Sequence, residues 1–333
     1  MANRIVWIDW AKSICMFLVI LGHCHIRMEE QMATQFIYSF HMMFFFFLSG
    51  MLCFNDLSFK TFKKDFRYLI FPYFTYGFIL MLFRLLCMRS FDIQIIWPQV
   101  KNLFLGLNLE VGPIWFLPAI FISKQLLLIL KKVKALNKYL YFFFVIFSFF
   151  LVYLLNRYSI NAFFFADSAL AGLPFYILGY ECFTLFERLN RCKCMKLFGM
   201  SIMLGSIFVF VCIKNGYANL GSCTIGNSLL SYYIVALSAI SSISMLCMII
   251  SKFNFSFVTV ISHGTIVILG LHGIPLTLLN YYIPLLLGYE PSVYPIYIAL
   301  LYSTITYCAC YCLIIVLARK CPSPFGLRPI NFQ

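Results

Sequence analysis

Ten apolar runs succeed one another along this chain, each close to the length at which a helix crosses a bilayer: residues 5–24, 36–54, 68–88, 112–130, 139–155, 169–186, 196–213, 228–250, 258–283 and 293–317. A hydrocarbon core about 30 Å thick takes about 17–25 helical residues. Inside it every backbone N–H and C=O needs a partner within the protein, so only helices and closed barrels span it. The runs lack period-two alternation, which argues against a barrel. The fifth run is short, and the ninth is interrupted by Gly273 and Pro275. Residues 91–106 are too polar and too short to span, and read as an interfacial or re-entrant segment. Composition agrees: 63% of the 333 residues are apolar and 11% charged, whereas a soluble domain carries about 25% charged residues. The expected fold is an all-α integral membrane protein. It is a single bundle of about ten transmembrane helices over residues 1–333, with no appended soluble domain.

The net charge of +14 reads as orientation rather than as nucleic-acid binding. With the N-terminus inside, the loops on the cytoplasmic side hold 17 of the 25 Lys and Arg. The outer loops hold Arg27, Arg89, Lys101, Arg157 and Lys214, while Lys12, Arg84 and Lys124 fall within spans. That asymmetry predicts N-in and C-in. The first run has charges inside it and no small-x-small cleavage site after it, so it is expected to be retained. Most of the fourteen cysteines sit in apolar runs and act as small hydrophobes. Cys192 and Cys194 form a loop pair with no second pair at ligand spacing, so no metal site is expected.

Chemistry concentrates in a few polar residues that the apolar runs tolerate. Asp9, Lys12 and His23 lie in the first run, where each needs a partner, a water-filled cavity or a function. Lys12 and His23 are eleven residues apart, which places them on nearly one helical face about 16 Å apart along the axis. Asp9 is one turn before Lys12, within reach of a salt bridge. For His23 the structural alternative is a ring tied to a backbone carbonyl near the helix end; His25 reads as interfacial. His41 opens a run that includes Phe44-Phe45-Phe46-Phe47, read as packing and lipid contact, and Ser49-Gly50, which permits close helix approach. On position alone His41 is as well explained by structure as by function. Lys64 and Arg67 are one turn apart and form either a positive-inside anchor or a clamp for an anionic ligand. Trp115, in the stretch Gly112 to Pro118, is accounted for by an interfacial aromatic belt. His263 and His272 are nine residues apart and face opposite ways, so at most one looks into a shared cavity.

Taken in order, these motifs resemble those of the acyltransferase-3 family, integral membrane proteins that O-acylate glycans and related acceptors. Lys12, ten intervening residues and His23 match its opening signature. His41-Met42 through Leu48-Ser49-Gly50 match its second-helix motif, and Lys64-x-x-Arg67 before Pro72-Tyr73 its basic motif. Trp115-Phe116-Leu117 and the stretch from Ser262 to His272 are similar to two looser landmarks. Met43 stands where the family usually has proline. Lys64 replaces an arginine, keeping the charge but giving up the bidentate fork.

The resemblance implies an acyl-CoA donor, most often acetyl-CoA, drawn from the cytoplasm as a substrate, with no bound cofactor. It also implies a glycan hydroxyl acceptor at or beyond the outer face, cell-surface or lipid-linked. Membrane lipids are the expected surroundings, and the expected location is the bacterial cytoplasmic (inner) membrane. His23 would serve as the base that removes the hydroxyl proton, or as an acyl carrier. Asp9, Lys12 and His41 would support it, Lys64 and Arg67 would receive the CoA phosphates, and Trp115 and His272 are secondary candidates. A straight helix separates His23 from Asp9 by about 21 Å, a gap for the pantetheine arm to bridge. The competing reading is a transporter or exporter of a glycan or lipid-linked intermediate, with the broken ninth helix lining a path; no inverted repeat is visible. An inactive scaffold is a third reading, disfavoured by the joint presence of Asp9, Lys12, His23 and His41.

Overall fold

The computed structural model describes residues 4–24, 31–88, 92–106, 113–160, 162–288 and 293–328. The readings for His25, Arg27, Arg89 and Gly112 fall outside them. Among the described residues the secondary structure is helical, apart from isolated bridge residues: Asn219 and Thr224, which pair antiparallel, and Tyr294. Among the described residues nine helical stretches are long and apolar enough to cross a membrane: Gln31–Met51, Phe59–Met88, Pro113–Leu136, Lys138–Tyr158, Phe163–Leu189, Cys194–Asn215, Leu229–Ile250, Thr265–Leu286 and Ile296–Lys320. Against the expected ten, helix α1 (Val6–Gly22) has 17 residues, at the lower limit of about 17 for a span.

Helix α1 is nonetheless the centre of the bundle. It packs against α2 (Gln31–Tyr38), α3 (His41–Met51), α11 (Leu229–Ile250), α12 (Ser256–His263), α13 (Thr265–Leu271) and α16 (Ile296–Lys320). Its buried residues include Trp7, Ala11, Cys15, Val19 and Ile20. The outermost spans are α8 (Lys138–Tyr158) and α10 (Cys194–Asn215), which bury only 22% and 17% of their most apolar stretch. A polar residue on α1 is therefore shielded by protein rather than by lipid, which is why α1 can carry charges.

Phe44 to Phe47 are all buried, with Phe45 and Phe46 against Phe116 and Phe47 against Phe186, so the expected packing is found and the expected lipid contact is corrected. The close approach at Ser49-Gly50 is made with α9 (Ala166–Leu189): a Cβ on Gly50 would lie 1.9 Å from the Tyr176 carbonyl oxygen, and one on Gly179 would lie 2.0 Å from that of Phe47. Two small residues let the backbones of α3 and α9 touch. Between α5 (Phe71–Met88) and α7 (Phe116–Leu136), the short helix α6 (Ile93–Leu105) is capped by the Asp92 carboxylate on the Gln94 N–H. It leans on α5, where the Tyr73 hydroxyl donates to the Leu103 carbonyl at 2.7 Å. At 13 residues it is too short to span, in keeping with its polar sequence.

Two π turns interrupt the helices, each just before a proline. At Phe66–Ile70 the Phe71 N–H reaches back to Phe66, and at Leu278–Tyr282 the Ile283 N–H reaches back to Leu278. Pro72 and Pro284 follow. A proline cannot donate to the carbonyl four residues earlier and its ring crowds that carbonyl; in both places a single π turn precedes it. The interrupted ninth run becomes α12, α13, α14 (Gly273–Thr277), the second π turn and α15 (Ile283–Leu286).

Candidate active site

Three histidines from three parts of the fold converge beyond the end of α1. His23 closes α1 and its Nδ1 lies 2.7 Å from the Val19 carbonyl. His41 Nδ1 lies 2.7 Å from the Ile37 carbonyl across the break between α2 and α3. His272 Nδ1 lies 2.7 Å from the Ile268 carbonyl. A carbonyl only accepts, so in each ring Nδ1 carries the proton and Nε2 presents a lone pair. The His23 and His272 ring centroids are 5.1 Å apart, edge to face. Tyr38 continues the row, 6.2 Å from His23 and 5.1 Å from His41, with its hydroxyl donating to the Gly22 carbonyl at 3.2 Å. His41 and His272 are buried.

A cavity of about 460 Å³ opens beside this row, lined by His23 and His272 together with Arg84, Thr277, Asn280 and Tyr282, and walled by apolar residues such as Leu80 and Leu276. That volume lies within the range of small-ligand sites, about 300–1,000 Å³. The structural alternative for His23, a ring tied to a backbone carbonyl, describes its Nδ1 alone; the ring also faces the cavity. Of the pair nine residues apart, His272 joins His23. His263 lies elsewhere, with its Nε2 donating to the Arg328 carbonyl at 3.1 Å.

The other end of α1 is built from charges. Asp9 pairs with Arg4, not with Lys12, and accepts the Ser262 hydroxyl; Arg4 also donates to Thr259. The expected Asp9–Lys12 bridge is thereby corrected. Helix α12 packs on the Asp9 side of α1 and offers Thr259 and Ser262 as further partners, which Lys12 on its own turn cannot match. Lys12 has no hydrogen-bond acceptor among the described residues and lies in the field of Asp9.

Lys64 and Arg67 are exposed, while Asp65 between them turns inward to Lys124 at 2.5 Å and Gln125 at 3.1 Å. Arg67 lies in the first π turn and donates to the Ser323 hydroxyl at 3.1 Å. The segment from Ser323 to Arg328 bridges this region to the Asp9 end. Arg328 sits over the Tyr68 ring at 5.8 Å and its carbonyl meets His263, which feels Lys12 and Asp9. Asp9, Lys12 and Arg67 thus gather at one end of the bundle, and His23, His41 and His272 form a separate group.

Trp115 joins neither group: its ring packs on Gly221 and Phe116. Among the described residues, no set of three His, Cys, Asp or Glu side chains is arranged to hold a metal ion. Sequence reasoning passed over three residues of the histidine end. Arg84 figured only as a charge within a span, although a cation there is itself a functional signal. Asn280 is a polar residue four positions before a proline, and Tyr38 carried no distinguishing signal.

Residues 5–318 match the model of the acyltransferase-3 family, described as an acyltransferase domain. Comparisons with curated proteins and with solved structures find no significant match. A family match over nearly the whole chain, on a bundle of helices long and apolar enough to span a membrane, leaves no second assignment to weigh: the chain belongs to the acyltransferase-3 family of membrane acyltransferases.

Proposed function

We propose that the protein moves an acyl group, most simply acetyl, from cytoplasmic acyl-CoA to a hydroxyl of a cell-surface or lipid-linked glycan. The observation that carries this reading is His23, whose Nδ1 is committed to the Val19 carbonyl while its ring faces the 460 Å³ cavity. The acceptor hydroxyl sits in that cavity. Nε2 of His23 takes its proton as the oxygen attacks the thioester carbonyl, and the imidazolium returns the proton to the departing CoA thiolate. In the variant with a covalent step, Nε2 attacks the thioester and expels the CoA thiolate; the acceptor oxygen then takes the acyl group from Nε2, and the thiolate takes up the hydroxyl proton. His272, 5.1 Å away ring to ring, is placed to stabilise the charged His23, and Tyr38 and His41 hold the other side of the row.

The donor arrives from the Asp9 end, where Lys12, Lys64 and Arg67 offer positive charge to its phosphates. The pantetheine arm covers the roughly 21 Å along α1. The charge count supports about ten spans with both termini inside, and the family resemblance suggests a bacterial cytoplasmic membrane. The test is mass and NMR analysis of surface glycan from cells with and without the protein; an O-acyl group that depends on the protein is expected, and its persistence in the deletion strain overturns the reading.

A second reading, a glycan or lipid-intermediate transporter, draws on the broken helix α13–α15 that lines the cavity. Substrate crossing proteoliposomes in the absence of any acyl donor would favour it.

A further inference from the structure

A second cavity, of about 500 Å³, lies at the same end of α1 and takes no part in the mechanism above. Gly22, Gln31, Thr34, Gln35 and Tyr217 line it, and none of the described residues around it is charged. Its volume too suits a small ligand. His23 lines the first cavity and Gly22 the second, so the two flank neighbouring residues of the chain, whose Cα atoms are about 3.8 Å apart. Tyr38 stands near both: its ring is 6.2 Å from that of His23 and 5.9 Å from that of Tyr217, and its hydroxyl donates to the Gly22 carbonyl.

Helix α2 supplies Gln31, Thr34 and Gln35, whose spacing puts them on one face. Gln35 is fixed through Nε2, which donates to the Cys212 carbonyl on α10 at 2.7 Å and leaves Oε1 unpaired. The Thr34 hydroxyl has no hydrogen-bond partner among the described residues. Tyr217 is 47% exposed, and its hydroxyl oxygen accepts from Asn219 Nδ2 at 3.0 Å, which leaves its own proton to give. Asn219 is held in turn by its bridge to Thr224 and by the Gly221 N–H on Oδ1. Among the described residues, the fully buried side-chain atoms that lack a partner belong to Gln99, Ser244, Asn280 and Thr306. The unpaired oxygens of Thr34 and Gln35, on half-buried residues, are therefore accessible from the cavity that these residues line.

The wall thus offers an acceptor at Gln35, a donor at Tyr217 and a hydroxyl at Thr34 that does either. A hydrocarbon tail would cut all three off from water without replacing their hydrogen bonds. An anion could accept from Tyr217, Thr34 and the Gln31 amide, but it would face the Gln35 oxygen with no cation on the described wall to balance its charge. A neutral ligand bearing several hydroxyls satisfies every group. We propose that this cavity is a second sugar subsite, holding a neutral unit of the acceptor next to the unit acylated beside His23. The acceptor is then an oligosaccharide or a longer chain rather than a single sugar. The link to acylation rests on the proposed function; the binding of a neutral sugar here does not.

Full-length protein in nanodiscs is titrated calorimetrically with cellobiose, lactose and N,N′-diacetylchitobiose, with the matching methyl monosaccharides, and with cellobiouronic acid as the anionic counterpart of cellobiose. At least one neutral disaccharide is expected to bind more tightly than its methyl monosaccharide. Thr34→Val combined with Tyr217→Phe keeps the shape of the wall and removes two hydroxyls; it is expected to raise that dissociation constant about tenfold, as for two neutral hydrogen bonds, with the thermal midpoint held. If the midpoint falls, Thr34→Val alone serves, because it breaks no internal hydrogen bond; a rise of about fivefold is then expected. No binding by any of the three neutral disaccharides, equal affinity for disaccharide and monosaccharide, tighter binding of the acidic disaccharide than of cellobiose, or unchanged constants in the variant overturns the inference. If a disaccharide binds as expected but receives no acetyl group from acetyl-CoA, the acyltransferase reading fails and the sugar subsite stands. If methyl monosaccharides are acetylated as readily as disaccharides and the variant leaves the disaccharide KM unchanged, the subsite fails and the acyltransferase reading stands.

Discussion

The two ends of α1 solve opposite problems. At the Asp9 end nearly every charge is answered: Arg4 pairs with Asp9 and Thr259, Ser262 donates to Asp9, and nearby Asp65 is held by Lys124 and Gln125. At the His23 end the rings are anchored by one nitrogen only, beside a cavity. Saturated polar groups stabilise a packed interior, whereas groups left with spare capacity reduce stability and are free to meet a ligand. The comparison assigns scaffolding to the paired carboxylates of the first end, leaves Lys12, Lys64 and Arg67 there for the donor, and assigns chemistry to the second.

The sharpest way to break this comparison is to remove His23. His23→Ala is expected to lower acyl transfer by about 10²–10⁴-fold, the usual worth of a general base, with membrane insertion intact because the only hydrogen bond lost is to the Val19 carbonyl. Full transfer by that variant would end its candidacy. A comparable effect, but on stability, is expected from Asp65→Ala. It strands Lys124, whose side chain is only 15% exposed, and breaking such a buried pair costs about 3–5 kcal/mol; the readout is the thermal midpoint in detergent. If the midpoint holds while donor binding fails, the scaffold assignment is wrong.

Charge removal at the proposed donor entrance is expected to act more gently. Lys64→Gln with Arg67→Gln should raise the dissociation constant for CoA about tenfold, in line with about 1.4 kcal/mol from loss of charge-assisted hydrogen bonds. Isothermal titration measures it, and an unchanged constant returns both residues to the anchor reading. The smallest effect belongs to Asp9→Asn. Arg4 is 41% exposed, so the screened pair contributes about 1 kcal/mol. A modest fall in thermal midpoint with near-normal transfer fits the scaffold role; a hundredfold loss of transfer would move Asp9 into the chemistry.

Much of the fold was legible because membrane spanning is a local requirement. Length, apolarity and backbone satisfaction apply to each run separately, so the runs at 196–213 and 228–250 announce themselves without reference to neighbours. The interruption near Gly273 and Pro275 was equally visible, since a proline acts within one turn. Partnership was less legible. Asp9 and Lys12 are well spaced for a bridge, yet Arg4 and Ser262 take the carboxylate, and Thr259 holds Arg4. Phe44 to Phe47 read as packing together with lipid contact, and the structure buries all four. Position along α1 singled out His23, while nothing in the spacing of His272 tied it to His23 across nearly 250 residues.

The sequence by itself determined a helical membrane bundle, a charge asymmetry across it and a polar stripe on the first helix, because hydropathy and helical periodicity act over a few turns. Only the tertiary structure decided which polar groups are satisfied and which are left with spare capacity. That depends on what α12, α13 and the two π turns bring against α1, and hydrogen-bond partners are settled by distances of a few tenths of an ångström between segments far apart in the chain.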